Sequence, residues 1–408
     1  MLLLLKLAWR NLFRNTRRTV LSGLAIGLGL ATLIFFDAMM LGMMDNMVLT
    51  ATATFPGQAQ IHHLHFRKTL EVEDTVADAD RILAELGKEP EVRAFAPRVL
   101  SFAMLSSAAD VGSILLYGVE PEPERRVSRL AEVVAAGDYV DAGAENRILI
   151  GRKLAENLGV DLGDRLVLTV AQAGTGELSQ EMFRVGGIFE FKVREMDRGM
   201  AFIPLAKAQQ LLQLGGRVHE IAVAFKDLKT ASDPNLPFWQ KYSRDGNEAL
   251  SWTALFPELK SLMDMSMFSL LIMAVVLFGI VSFGIMNTLF MSLYERMFEF
   301  GVLRAVGTRP SGVAFMILLE SASLALVSIA IGIILGWGLT VFYQAVGIDY
   351  RGLEFTGVTI KDMIYPVARS YQYLVYPTWL FVFTVLVGIY PAVYAARLQP
   401  AKAMKRSL

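Results

Sequence analysis

The chain has 408 residues, of which 54% are hydrophobic and only 19% charged, and its mean hydropathy is +0.44. Thirty-nine Lys and Arg offset thirty-nine Asp and Glu; an ordinary soluble domain is excluded by the hydropathy, and the charge balance offers nothing to nucleic acid. The lack of Cys excludes a disulfide framework and thiol chemistry.

In chain order, Lys6, Arg10, Arg14, Arg17 and Arg18 alternate with Leu2, Leu3, Leu5, Trp9, Leu12 and Phe13. Residues 1–18 therefore read as an amphipathic helix along the inner membrane surface, or else as an early start of the first span. That span is Val20–Met43 within residues 19–44, interrupted only by Asp37. A cleaved signal peptide is the alternative, but the apolar run of about 24 residues exceeds the ~7–15 of a signal core.

Residues 45–265 alternate strand-like and helical runs, the pattern of an α+β domain. The strand-like runs are Gln58–Phe66, Val99–Leu105, Ile114–Tyr117, Leu166–Ala171, Phe183–Phe189 and Ile221–Phe225, and the helical ones Asp78–Leu86, Gly151–Leu158 and Leu205–Leu212. Within the domain His62, His63 and His65 sit at strand spacing. With no adjacent acid or Cys, and His62 on the opposite face from the other two, they are not expected to hold a metal.

The second span, Ser266–Tyr294, is uncharged and would reach ~43 Å as a helix, more than the ~30 Å hydrocarbon core. It passes directly into Glu295–Gly307 (ERMFEFGVLRAVG), and a third span, Val313–Tyr343, begins shortly afterwards. Residues 295–312 are thus a short charged helix pinned between two spans, placed to pass force into both. Glu295, Arg296, Glu299, Gly301, Arg304 and Gly307 are its candidate partner-facing residues: the carboxylates four apart share a face, Arg304 suits a partner carboxylate, and the glycines permit close approach or helix termination. An ordinary solvated loop is the bland alternative. Residues 344–377 are a short aromatic-rich loop of the kind found at a membrane interface, and Thr378–Ala396 is the fourth span. A basic tail, 397–408, follows. Basic residues at both ends place both termini in the cytoplasm and the large domain outside it.

Two polar positions lie inside spans, Asp37 and Glu320. Ionisable groups there are costly and mark either function or a helix–helix partner. Met40, Met43, Met44 and Met47, with Met263 and Met267, cluster at the outer ends of the first two spans. They fit contact with a hydrophobic substrate or plain helix packing.

Four blocks in order resemble one family. They are LAWRNLFRNTRR (7–18), ILIGRKLAENLGVDLGD (148–164) with FRVGGIF (183–189), the 295–307 segment, and PAVYAARLQPA (391–401). The set is similar to the permeases of the MacB and LolC/LolE systems, within the FtsX-like group of ABC transporters. The resemblance implies four transmembrane helices with a MacB-like periplasmic core domain, in the bacterial inner membrane. It also implies a dimer with a second permease copy or paralogue, two copies of a separate ABC ATPase that uses ATP and Mg, and a lipoprotein or hydrophobic substrate. No cofactor is expected on the chain itself. The lone Gly-Lys pair, Gly87-Lys88, has Ile82 where a phosphate-cradling loop needs Gly. Neither HExxH nor GxSxG occurs, so catalytic residues are not expected. The output implied is mechanotransmission, most closely lipoprotein release. Efflux of peptides or hydrophobic compounds and signalling to a periplasmic hydrolase remain alternatives.

Overall fold

The computed structural model describes residues 16–141, 143, 146–350, 354–355, 358–359 and 363–397. The amphipathic segment expected over 1–18 lies almost wholly outside these, as does the basic tail beyond Arg397. The chain divides into two compact units, residues 1–45, 262–350 and 362–408, and residues 46–261 with 351–361.

Four long helices carry the apolar runs: α1 (Thr16–Thr54), α2 (Pro257–Glu295), α4 (Pro310–Val346) and α5 (Ser370–Ala396), with the short α3 (Met297–Ala305) between α2 and α4. Each long helix has the length and hydropathy to cross a membrane. The helices outrun the apolar windows. At 39 residues each, α1 and α2 would extend ~58 Å, because polar residues such as Asp45, Asn46, Glu258 and Lys260 continue the helix where hydropathy has already fallen. The loop expected over 344–377 is likewise shorter. Helix α5 begins at Ser370 and contains Pro377, a residue that membrane helices tolerate where neighbours satisfy the freed carbonyl.

The membrane helices are held by small residues. A side chain at Gly27 would lie 2.9 Å from both Ile331 Cγ2 and the Ser328 carbonyl, and one at Gly332 would lie 2.9 Å from the Gly27 carbonyl. Gly23, Gly27 and Ala31 thus face Ser328, Gly332 and Gly336, the spacing that lets α1 and α4 backbones approach closely. Ile26, Leu30, Ile34, Val281, Ile285, Leu289, Leu324 and Leu380 fill the space around them. Helix α2 leaves Met267, Phe268, Leu271, Val275 and Phe283 exposed.

The second unit is a ten-stranded sheet: β1 (Ala59–His63), β2 (Val92–Ser106), β3 (Val111–Val119), β4 (Val134–Gly137), β5 (Arg147–Gly151), β6 (Arg165–Ala171), β7 (Leu178–Phe189), β8 (Met200–Pro204), β9 (Glu220–Phe225) and β10 (Asn247–Ser251). The order is β10-β1-β9-β2-β3-β8-β5-β7-β4, and β6 pairs with both β2 and β7. Strands β2, β3, β8, β5, β7 and β6 therefore close a ring where they pair, with β10 and β4 left as edge strands. Pairing is parallel in β3–β8 and β5–β7 and antiparallel elsewhere. The alternation expected of such strands holds on β6, where Leu166, Leu168 and Val170 are buried and Arg165 and Val167 are exposed.

An ion cluster lies in the core of this unit. Fully buried Arg98 donates to Glu124 at 2.7 and 2.9 Å, to Glu220 at 2.7 Å and to the Phe55 carbonyl at 2.6 Å. Its guanidinium carbon stands 3.9 Å above the Phe55 ring. Such a group persists in a core when its charge is paired and further hydrogen bonds support it. Phe55 meets Tyr117 and Phe202 edge to face, Phe189 meets Phe202 in the same way, and Tyr117 stacks on Phe202.

Candidate functional site

The segment between α2 and α4 is built as a clamp. Arg296, the residue before α3, is 7% exposed and donates to Glu320 Oε2 of α4 at 3.2 Å and to Glu299 Oε2 at 3.1 Å. Ser292 of α2 donates to the other Glu320 oxygen at 2.6 Å. One carboxylate thus ties α2, the start of α3 and α4 together, and the Arg296 guanidinium also covers the Phe300 ring at 5.0 Å. Met297 and Phe300 turn inward, packing with Leu293, Val313, Met316 and Ile317, and Gly301 is buried beside them in sequence.

The far end of α3 is closed by backbone geometry. Gly307 has φ +102° and donates to the Arg304 carbonyl at 3.2 Å, while Thr308 N–H reaches the Leu303 carbonyl at 3.0 Å. These two bonds form a Schellman motif, and the left-handed residue within it favours glycine. Pro310 then opens α4 at its first turn, where a missing N–H costs nothing.

The structure separates the six sequence candidates. Arg296 faces inward, where its charge is paired with that of Glu320. Gly301 is buried and Gly307 terminates the helix, so both shape the segment rather than present a side chain. Glu295 ends α2 and receives Arg18 of α1 at 2.8 Å, and Ser22 pairs with Thr288 at 2.7 Å along the same two helices. Glu299 stays 44% exposed in its side chain while holding Arg296. Arg304 is half-buried, and its Nε is buried with no hydrogen-bond partner among the described residues.

Sequence reasoning missed the apolar surface of α3. Phe298, Val302 and Val306 are 49%, 39% and 83% exposed, with Leu303 beside them. The first three are spaced i, i+4, i+8, so one face of a nine-residue helix carries an uncovered apolar stripe flanked by Glu299 and Arg304. That i, i+4, i+8 spacing is the signal the sequence carries for it. The stripe is suited to a groove in a partner protein.

At the other end of the same unit, Asp37 is buried and accepts from Tyr371 Oη at 2.6 Å and Gln372 Nε2 at 2.9 Å. Val367 N–H reaches the Ala38 carbonyl at 2.8 Å, and Arg369 lies 3.6 Å from Asp45. Asp37 thus anchors the start of α5 to α1. Of the six candidate methionines, Met44 and Met47 are buried, Met40, Met43 and Met263 are half-buried, and Met267 is 76% exposed.

The histidines are structural in arrangement. His62 Nδ1 is 3.5 Å from Glu248, and His63 Nδ1 is 3.3 Å from Asp74. Burial pushes the His62 ring down to about 4. Among the described residues, no three His, Asp or Glu side chains gather as metal ligands would.

Comparison with known proteins gives two family matches, the MacB-like periplasmic core domain over residues 19–233 and the FtsX-like permease C-terminal over residues 271–400. The lipoprotein-releasing system transmembrane protein LolC of Xylella fastidiosa strain 9a5c is 26% identical over 406 aligned positions, covering 94% of this chain and 92% of that one. LolE of Haemophilus influenzae is 22% identical over 395 positions, 94% of this chain and 93% of its own. A crystal structure of the periplasmic region of MacB from Actinobacillus actinomycetemcomitans matches 50% of this chain and 92% of its own, with 11% identity and a TM-score of 0.34.

Proposed function

Because this chain belongs to the family of FtsX-like permeases with a MacB-like periplasmic core domain, we propose that it is the membrane subunit of an ABC transporter of the lipoprotein-releasing type, relaying the motion of a separate ATPase to its extracytoplasmic domain. Segment α3 carries this reading. It is pinned to α2 and α4 through Glu320 and leaves an apolar stripe uncovered, flanked by the half-buried Glu299 and Arg304.

In this reading α3 faces the cytoplasm and docks into the ATPase. The apolar stripe supplies most of the buried area, and the flanking charges fix orientation. Closure of the ATPase, driven by ATP with Mg, pushes α3. The Arg296–Glu320–Ser292 clamp distributes that push between α2 and α4, while Arg18–Glu295 carries it to α1. A second permease, identical or paralogous, completes the assembly, for which the uncovered apolar side of α2 is available within the bilayer. The substrate class is taken from the relatives, which are named as lipoprotein-releasing subunits and align over nearly their full length. Met267 and the neighbouring half-buried methionines are the proposed hydrophobic contacts.

The test is purification of the tagged protein from its native membrane, followed by identification of what accompanies it. An ABC ATPase together with acylated lipoproteins is the expected result. An ATPase with a cell-wall hydrolase and no lipoprotein would replace release by signalling. No ATPase at all would overturn the reading.

A further inference from the structure

The ring of strands in the extracytoplasmic unit has a gap. Strand β3 pairs with β2 from Val111 onwards, but β8 joins its other side only at Leu115. Upstream of Met200 the chain leaves the sheet as the helix Arg194–Gly199, so residues 111–113 present an edge that no strand covers. A cleft of about 550 Å³ lies along this edge, lined by Asp110–Ser113, by Lys153, Leu154, Asn157 and Leu158, and by Arg194 and Arg198.

The two sides of the edge differ in chemistry. On one side, a side chain at Gly112 would point at Leu154 and Leu158, so this side faces the helix Arg152–Leu158. Lys153 and Asn157 are four apart on that helix, and Arg194 and Arg198 are four apart on the next; each pair shares a helix face. Lys153 already holds Glu156 at 2.7 Å, and Asp110 is the one carboxylate in the lining. Arg194 and Arg198 carry no ion pair among the described residues. On the other side of the strand, Val111 is exposed and in register with Ser106, and Met104, opposite Ser113, is exposed along with Phe102. An added strand would therefore meet cations on one face and apolar side chains on the other.

We propose that the 111–113 edge of β3 is a docking site for an extended acidic peptide segment of a partner protein, bound as an added strand. Its main chain would pair with the free edge. Because strand side chains alternate, its carboxylates would face Arg194, Arg198 and Lys153, and its apolar residues would face Phe102, Met104 and Val111. The required ligand pattern is thus acidic and apolar residues in strict alternation. A bare anion would use only half of this surface.

The experiment uses the full-length protein in detergent and a fluorescein-labelled peptide of alternating Glu and Val, read by anisotropy. Saturable binding is expected, weakened about tenfold or more by R194E/R198E. R194Q/R198Q should weaken it less, and the melting temperature of at least one of these two variants should match the parent. Methylation of alternate backbone nitrogens should also weaken the peptide about tenfold, since it removes the donors a strand needs. A Lys-Val peptide and a block-ordered Glu-Val peptide should bind poorly. Equal binding of the methylated or block-ordered peptide would overturn strand addition. Displacement by inorganic phosphate as effective as by unlabelled peptide would reduce the cleft to a small-anion site. No binding, or binding indifferent to R194E/R198E, would overturn the proposal outright.

Discussion

Arg296 and Glu320 meet at 3.2 Å with their side chains 9% and 8% exposed, and this pair ties the α2–α3 junction to α4. Neither charge is tolerable alone at that depth. Replacing Arg296 with Ala is expected to leave Glu320 uncompensated and to cost about 3–5 kcal/mol, whereas the double replacement R296M/E320M should recover most of it. Thermal unfolding of the detergent-purified protein reads both. If R296A alone were neutral, the clamp would carry no weight in the fold.

The stripe on α3 separates docking from folding. Val306 is 83% exposed, so V306D should leave the melting temperature unchanged while reducing recovery of the ATPase on purification. R304E and E299K should lower coupled transport with the permease still inserted. A hydrophobic docking centre makes V302D/V306D the more severe change and the flanking charges the more salt-sensitive ones. ATPase recovery equal to the parent in all of these variants would remove α3 from the interface.

The apolar runs, the pinned segment and the mixed strands and helices were legible because each is a local pattern. Val20–Met43 reads directly as a span, and Leu166–Ala171 as a strand. What stayed hidden depends on partners distant in sequence. Nothing near Arg296 indicates that Glu320 waits 24 residues later to draw it inward. Nothing near Arg98 announces Glu124 and Glu220. Short strands such as β8 (MAFIP) give no periodic signal, because five buried residues show no alternation. The ring closed by β6 is a matter of pairing, which composition does not encode.

Close packing of α1 on α4 gives a third prediction. A methyl at Gly27 would already sit 2.9 Å from a backbone carbonyl, so G27A itself presses the two helices apart and G27L must force them further. The loss at G27L should resemble overpacking in a core, about 1–3 kcal/mol or more. Gly279 and Gly284 on α2 have open space around them, so alanine there should be neutral. Parallel melting curves of G27L, G27A and G284A check the ranking, and equal curves would mean that α1 and α4 are not tightly apposed.

The extracytoplasmic unit should lose stability in mild acid through His62. Its ring is buried, and burial lowers its proton affinity from the ordinary 6.5 to about 4. The unfolded chain therefore binds the proton first. Stability is complete above about pH 6.5, falls as the pH drops through the interval to about 4, and levels off below it; the linkage is worth ~3 kcal/mol in all. His219, whose Nδ1 accepts from Leu100 N–H at 3.0 Å, is shifted downward too, also chiefly by burial, and adds to the same slope. Burial raises the Glu220 carboxyl, so that group takes its proton more readily when folded and works against the loss. H62Q keeps a polar side chain but cannot titrate. Its stability between pH 6.5 and 4, followed by denaturant unfolding of the full-length protein, should fall less steeply than the parent's. Parallel pH curves for parent and H62Q would show that the His62 ring is hydrated in the folded state.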